Sequence, residues 1–391
     1  MTNTTYLPFS FHTTPGIIFE CGVTRRLGKI VSPRLGNRIL SVTDPGLRKI
    51  GLAEGALEAL EEAGVAVTVF DEVEADPSRA TLMKAVEAGR AAGVSGVVGL
   101  GGGSSLDVAK LAALLLGSGE DLDEAWGVAM AKGPRLPLAL VPTTAGTGSE
   151  VTPVSIITVG EEEKRGVSSP VILPDIAVLD PELTVGLPPA ITAATGIDAM
   201  VHAIEAYASK SPNNNPLSRM LAREALRLLG ANIERAVSDG RDIEARGAML
   251  LGAMLAGQAF ANSPVAAVHA LAYPIGGTFH VPHGLSNALV LPHVLRFNAP
   301  DAAHLYAEIA CHAFPHLARD EGNQALCAAF IEELAALSRK LGLPTRLREV
   351  KIGEEHLETM ARDAMKQTRL LVNNPREVSE ADALAIYRAA W

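Results

Sequence analysis

GVVGLGGGSSLDVAK, residues 96–110, opens as an unbroken apolar run, halts on three glycines, and resumes with apolar residues at helical spacing. An apolar run without alternation is what a strand buried on both faces requires. Consecutive glycines let backbone N–H groups approach a ligand closely, and a helix beginning there presents its N-terminus to an anion. Ser104 and Asp107 match a capping-box-like S-x-x-D start to that helix. The turn is not GxGxxG, and many strand-to-helix turns are rich in glycine, so by itself it leaves phosphate binding and a plain turn open.

The same alternation extends to both sides. RILSVTD (38–44), VAVTVFDEV (65–73), PLALVPTT (137–144) and IAVLD (176–180) read as strands, and ALEALEEAG (56–64) and RATLMKAVEAGRAAG (79–93) as helices. Strand, helix, strand at this spacing predicts a Rossmann-like parallel sheet covered on both faces. Past GLPPAIT (186–192) the strand signal ends and helical periodicity takes over to the C-terminus. The double proline at 188–189 sets the expected boundary between an α/β domain, 1–187, and an all-α domain, 188–391, with a cleft between them.

Length and composition agree with two well-buried domains: 391 residues, 48% hydrophobic and 20% charged. A net charge of −10 without a Lys/Arg run argues against nucleic acid as a partner. Three cysteines, Cys21, Cys311 and Cys327, form no CxxC pair and imply no disulfide framework. With neither a signal-peptide pattern at the start nor a membrane-spanning run, the chain is expected in the cytoplasm.

A second loop, VPTTAGTGSEVTP (141–153), follows a predicted strand and carries Thr143, Thr144, Thr147 and Ser149 interleaved with Gly146 and Gly148. Hydroxyls and exposed backbone donors in one short loop suit phosphate and ribose oxygens, and beside the glycine turn they point to a nucleotide. Asp44, ending the first predicted strand, is placed to accept from a ribose hydroxyl and repel a 2′-phosphate; it equally begins an Asp-Pro-Gly turn.

GIDAMVHAIEAY (196–207) sets Asp198, His202 and Glu205 at i, i+4 and i+7, one stripe of a helix. Thr195-x-x-Asp198 also resembles a capping box. Farther on, His269 and Tyr273 are i, i+4 on a helical pattern that Pro274 and the following glycines should stop, and His283 follows Pro282. One carboxylate with three imidazoles and no thiolate suits a divalent iron or zinc ion, although a lone histidine on an apolar helix is more often a core residue.

GGGSSLDVAK, PTTAGTGSE, ATGIDAMVHAIEAY, HALAYPIGGTFHVPHG, LPHVLRFN and NNPREVS occur in an order that resembles the iron-containing (group III) alcohol dehydrogenase family almost end to end. The resemblance implies the dehydroquinate synthase-like fold and NAD(H)-linked hydride transfer between a small alcohol and its aldehyde. The alkoxide would sit on Fe2+, with Zn2+ as the alternative. It implies Asp198, His202, His269 and His283 as metal ligands. The implied cofactor contacts are Asp44, Gly102, Gly103, Ser104, Thr143, Thr144, Thr147 and Lys164, to which Asp107 and Ser149 of the two loops are added. Tyr273 stands where many members carry a histidine, so the proton is expected to leave through Tyr273, His280 or a water chain, with His280 the better candidate because histidine titrates near neutrality. A homodimer or larger homo-oligomer is the family's habit.

Rival readings are a maleylacetate reductase-like enzyme working without the metal, a dehydroquinate synthase-like lyase, and a non-catalytic nucleotide-binding or metal-storage module. The intact Asp198 and His202 disfavour the first, and the lack of a basic cluster for a phosphorylated sugar acid disfavours the second.

Overall fold

The computed structural model describes residues 8–160, 163–317 and 322–391. The chain divides into two compact units. One comprises Thr13–Thr192 and Arg235–Gly257; the other comprises Ala193–Glu234, Gln258–Trp391 and the described part of the first twelve residues.

The first unit holds the strands β1 (Gly16–Phe19), β2 (Arg38–Val42), β3 (Ala66–Phe70), β4 (Gly96–Gly101), β5 (Gly127–Val128), β6 (Leu138–Pro142), β7 (Val154–Val159), β8 (Glu163–Ser168) and β9 (Ile176–Leu179). Its helices are α1 (Leu27–Leu35), α2 (Pro45–Lys49), α3 (Glu54–Glu62), α4 (Arg79–Ala92), α5 (Gly103–Ser118) and α6 (Leu122–Ala125). Six strands form one parallel sheet in the order β1-β9-β6-β4-β2-β3. Successive residues of a strand enter different cores, as a doubly covered sheet demands. Leu40, Val97, Leu138 and Leu140 join the cluster under α4 and α5, whereas Ile39, Val98, Ala139 and Val141 join the one with Leu27 and Leu60.

The five strands expected from the apolar runs are present, each shorter by a residue or more. A second sheet, β5-β8-β7, was not expected. Its β7–β8 pair is antiparallel, from Val154 opposite Ser168 to Val159 opposite Glu163. The charged, half-exposed sequence of β8 lacks the apolar run that marked the other strands.

The helical elements that follow are α7 (Pro189–Ala208), α8 (Pro216–Ser238), α9 (Ile243–Asn262), α10 (Ala267–Phe279), α11 (His283–Ala313), α12 (Gly322–Lys340), α13 (Leu357–Ala364), α14 (Thr368–Leu371) and α15 (Glu380–Ala390). Three local expectations change. Helix α5 begins at Gly103 with Gly102 as its cap, so Ser104 lies inside the helix and Ser104–Asp107 is no capping box. Helix α7 begins at Pro189, which places Thr195 and Asp198 mid-helix and removes the capping alternative for Asp198. Helix α10 runs on through Pro274, Gly276 and Gly277 to Phe279. Its buried face, from Val268 to Ile275, outweighs the hydrogen bond that proline forfeits. No described helix is long and apolar enough to cross a membrane.

Candidate metal centre and nucleotide edge

Three helices build the first site. Near the middle of α7, Asp198 and His202 lie one turn apart and Glu205 follows on the same stripe. Helix α10 contributes His269 from its first turn, and α11 opens with His283. Gly284 lets α11 start directly on α7, since a Cβ there would meet the Ala194 carbonyl oxygen at 2.4 Å.

One donor atom each from Asp198, His202, His269 and His283 lies within 4.8 Å of the others. Asp198 Oδ1 is 3.6 Å from His283 Nε2 and 3.9 Å from His269 Nε2. Four ligands at ordinary metal distances of about 2.1 Å would stand about 3.4 Å apart at the corners of a tetrahedron, so the side chains need move little to fit a first-row cation. The donor chemistry agrees: carboxylate and imidazole, no thiolate.

The His202 ring stacks between Phe260 (centroids 4.5 Å apart) and His269 (4.8 Å). Asp198, His202 and His269 are all at most 4% exposed, whereas the His283 side chain is 45% exposed and marks the side open to a further ligand. Burial pushes the Asp198 carboxyl up, yet His202, His283 and His269 together with the Asn287 amide outweigh it and hold the group below the usual carboxylate range.

Two neighbours complete the cluster. Glu205 accepts the Val268 backbone N–H at 2.7 Å and lies 2.6 Å from His269 Nδ1. Asn287 Nδ2 donates to Asp198 Oδ1 at 2.6 Å and lies 3.3 Å from both His269 Nε2 and His283 Nε2. Glu205 was legible as the third member of the α7 stripe. Asn287 carried no signal beyond following His283 by one helical turn. The Tyr273 ring stands 6.5 Å from that of His283. His280 is exposed at the end of α10 in a left-handed conformation, φ 55°, and is not one of the four clustered donors.

The second site lies in the sheet unit. Strand β4 pairs with β2 on one side and β6 on the other, all parallel, so the segments after their carboxyl ends emerge along one edge. Asp44 Oδ1 accepts the Leu47 N–H at 3.0 Å and caps α2, so its turn-forming role is real. Its Oδ2 lies 3.5 Å from where a Cβ on Gly101 would stand. The equivalent points on Gly102 and Gly103 meet Thr144 Cγ2 at 3.8 Å and Thr147 Cγ2 at 3.0 Å. No side chain caps α5, leaving its first-turn N–H groups to an anion.

Burial sorts the remaining candidates. Asp44, Gly102, Gly103, Ser104, Thr144 and Thr147 stay partly exposed, while Thr143 and Ser149 are buried. Ser149 Oγ donates to Asp107 Oδ1 at 2.7 Å, and the Ile156 N–H donates to Asp107 Oδ2 at 2.8 Å. Beneath them the fully buried Lys110 Nζ donates to Ser149 Oγ and the Val154 carbonyl, both at 2.7 Å, and to Thr152 Oγ1 at 3.2 Å. Asp107, Lys110 and Ser149 therefore tie the hydroxyl loop and β7 to α5. Burial pushes the Lys110 ammonium down to about 8 against the pull of Asp107 and Glu150, and pushes the Glu150 carboxyl up to about 7. Lys164 on β8 donates to Thr158 Oγ1 at 2.9 Å and pairs with Asp76 at 2.8 Å.

The chain is similar to known proteins over almost its whole length. The model of the family "Iron-containing alcohol dehydrogenase" matches residues 14–181, and that of "Fe-containing alcohol dehydrogenase family, C-terminal" matches 192–391. The chain is 43% identical over 368 residues to long-chain-alcohol dehydrogenase 1 of Geobacillus thermodenitrificans (strain NG80-2), covering 92% of this chain and 91% of that one. Among solved structures, a 1,3-propanediol oxidoreductase superposes with a TM-score of 0.94 at 34% identity, covering 98% of this chain and all of that one. Sulfoacetaldehyde reductase from Bifidobacterium kashiwanohense, solved in complex with NAD+, superposes with a TM-score of 0.86 at 28% identity, covering 98% and 99%.

Proposed function

Because this chain belongs to the iron-containing alcohol dehydrogenase family, we propose that it interconverts a small alcohol and its aldehyde or ketone with NAD(H) at a metal held by Asp198, His202, His269 and His283. The observation that carries this reading is the convergence of those four donors, three of them buried and His283 exposed, within 4.8 Å of one another where three helices meet. When bound, a divalent cation supplies a Lewis acid for the alcohol or carbonyl oxygen, and the nicotinamide accepts or gives the hydride. Fe2+ is the resident ion on family grounds, and the same donors accept Zn2+.

The chain's own residues do the holding. Asp44 meets the adenosine ribose and its charge opposes a 2′-phosphate. Gly102, Gly103 and Ser104 offer the first-turn N–H groups of α5 to the pyrophosphate. Thr144 and Thr147 face the same ligand, with Lys164 reaching it from β8. Thr143, Asp107 and Ser149 act from beneath, as supports of the loop rather than as contacts. Tyr273 Oη and His280 share the proton relay to solvent. The enzyme works in the cytoplasm, where its three free cysteines stay reduced, as a homodimer or larger homo-oligomer.

The test is to strip the protein with a strong chelator, then restore Fe2+ or Zn2+ while following NADH absorbance with a panel of primary alcohols. Activity should vanish and return with the ion; turnover that survives complete metal removal would overturn the reading.

A further inference from the structure

The Glu205 carboxylate has both oxygens engaged by two successive residues of another helix. Oε1 accepts the Val268 N–H at 2.7 Å, and Oε2 lies 2.6 Å from His269 Nδ1. Glu205 and His269 are at most 5% exposed, so water does not compete for either contact. Helix α10 has no cap of its own: Ala266 occupies the N-cap position and carries no acceptor. Glu205 supplies that acceptor from α7, with its negative charge at the positive end of the helix dipole.

In a carboxylate–imidazole contact the carboxylate oxygen accepts and the ring N–H donates, so the 2.6 Å approach places a His269 proton on Nδ1. The lone pair then lies on Nε2. That atom faces Asp198 Oδ1 at 3.9 Å and the Asn287 amide nitrogen at 3.3 Å. Asp198 Oδ1 takes one Asn287 amide proton at 2.6 Å, and the other is left for His269 Nε2 or His283 Nε2, a donor on that side agreeing with a proton on Nδ1.

We infer that Glu205 is a positioning residue of the metal centre: it fixes His269 in the Nδ1–H tautomer, aims Nε2 at the ion, and anchors the start of the helix carrying that histidine. The inference rests on the proposed ligand role of His269 and extends it to a carboxylate outside the ligand set. Carboxylate partners of metal-bound histidines typically contribute 10- to 100-fold in metal affinity.

The experiment compares wild type, Glu205→Gln, Glu205→Asp and His269→Ala by competition against a chromophoric chelator for Zn2+. Melting of the metal-free proteins is recorded alongside. Glutamine can still cap Val268 through its oxygen, but its NH2 then confronts Nδ1–H and drives the proton onto Nε2, the ligand atom. Glu205→Gln should therefore bind Zn2+ roughly 10- to 100-fold more weakly while keeping most of its metal-free melting temperature. Glu205→Asp should recover part of the loss. An unchanged Zn2+ affinity in Glu205→Gln, with His269→Ala weakened, would overturn the inference and leave the metal reading standing. Wild type that fails to bind Zn2+, or His269→Ala that binds it as tightly, would overturn both. Should the Glu205 variants fail to fold, nitrogen-15 spectra of histidine-labelled wild type decide the matter. The His269 signals, assigned by their loss in His269→Asn, must show Nδ1 protonated; a proton on Nε2 overturns the inference.

Discussion

Asp198 keeps a negative charge inside a helix face that is otherwise sealed, and only the surrounding imidazoles and the Asn287 amide make that tolerable. Asp198→Asn preserves the shape and removes the charge. It should lower metal affinity roughly 100-fold or more, on the scale of losses from a disturbed coordination sphere, with little change in melting of the metal-free protein. Chelator competition and calorimetry measure the two effects. Glu150 gives a prediction of a different kind. Burial raises its folded-state value from 4.5 to about 7, so the folded protein binds this proton more tightly than the unfolded chain does. That contribution is complete below pH 4.5 and is lost as pH rises through about 7. Glu150→Gln has no such proton to hold, so its stability relative to wild type should climb over that interval by an amount on the order of 3 kcal/mol, read from urea titrations at several pH values. Lys110, lowered to about 8, stays charged across most of the window.

At the scale of elements, the hydroxyl loop and α9 meet backbone to backbone. A Cβ on Gly257 would stand 2.8 Å from Gly148 Cα and 2.9 Å from its carbonyl oxygen, and Gly148 adopts φ +59°. Gly257→Ala should cost about 1–3 kcal/mol through overpacking. Gly148→Ala adds left-handed strain of about 1–2 kcal/mol to a similar collision. Because Thr144 and Thr147 belong to the displaced loop, both variants should raise the KM for NAD more than they lower kcat, a split that steady-state kinetics resolves. Legibility also divides at this scale. The central strands could be read because burial on both faces writes itself as continuous Val, Leu and Ile. Strand β8 could not, because its charged, half-exposed residues imitate a loop; β7, VSIITV, did carry β-branched residues, but too few beside the hydroxyl loop to stand out as an apolar run. Asp107 was read as a helix-start residue because its spacing from Ser104 suits one; its partners, Ser149 and Ile156, lie more than forty positions away, where no local pattern reaches. The α7 stripe was visible because three ionisable residues at helical spacing in an apolar run are conspicuous, and the capping alternative fell only once the helix was seen to begin at Pro189.

Across the whole molecule, the metal set joins α7 to α10 and α11, which follow one another closely but come two helices later in the chain. A ligand that binds only the folded state stabilises it by mass action, about 2.7 kcal/mol at a free concentration 100 times the dissociation constant. Titrating Zn2+ into metal-free protein should raise its melting temperature in proportion to the logarithm of free metal, and Asp198→Asn should move the onset of the rise to roughly 100-fold higher free metal or beyond. Calorimetry at fixed protein concentration checks both, and a melting temperature indifferent to Zn2+ would deny the ion a part in holding these helices together.

The path of the chain carries one more consequence. Residues 235–257 belong to the sheet unit although the segments on either side belong to the helical one, so the backbone passes between units at 12/13, 192/193, 234/235 and 257/258. A single cut at residue 192 would strip the sheet unit of the helix against which Gly148 rests. Recombining two parents there would set one parent's glycine loop against the other's α9, so hybrids that swap Thr13–Thr192 and Arg235–Gly257 as one block should fold where single-crossover hybrids aggregate. Inheritance in this architecture follows packing, and a linear map of the gene would draw the border in the wrong place.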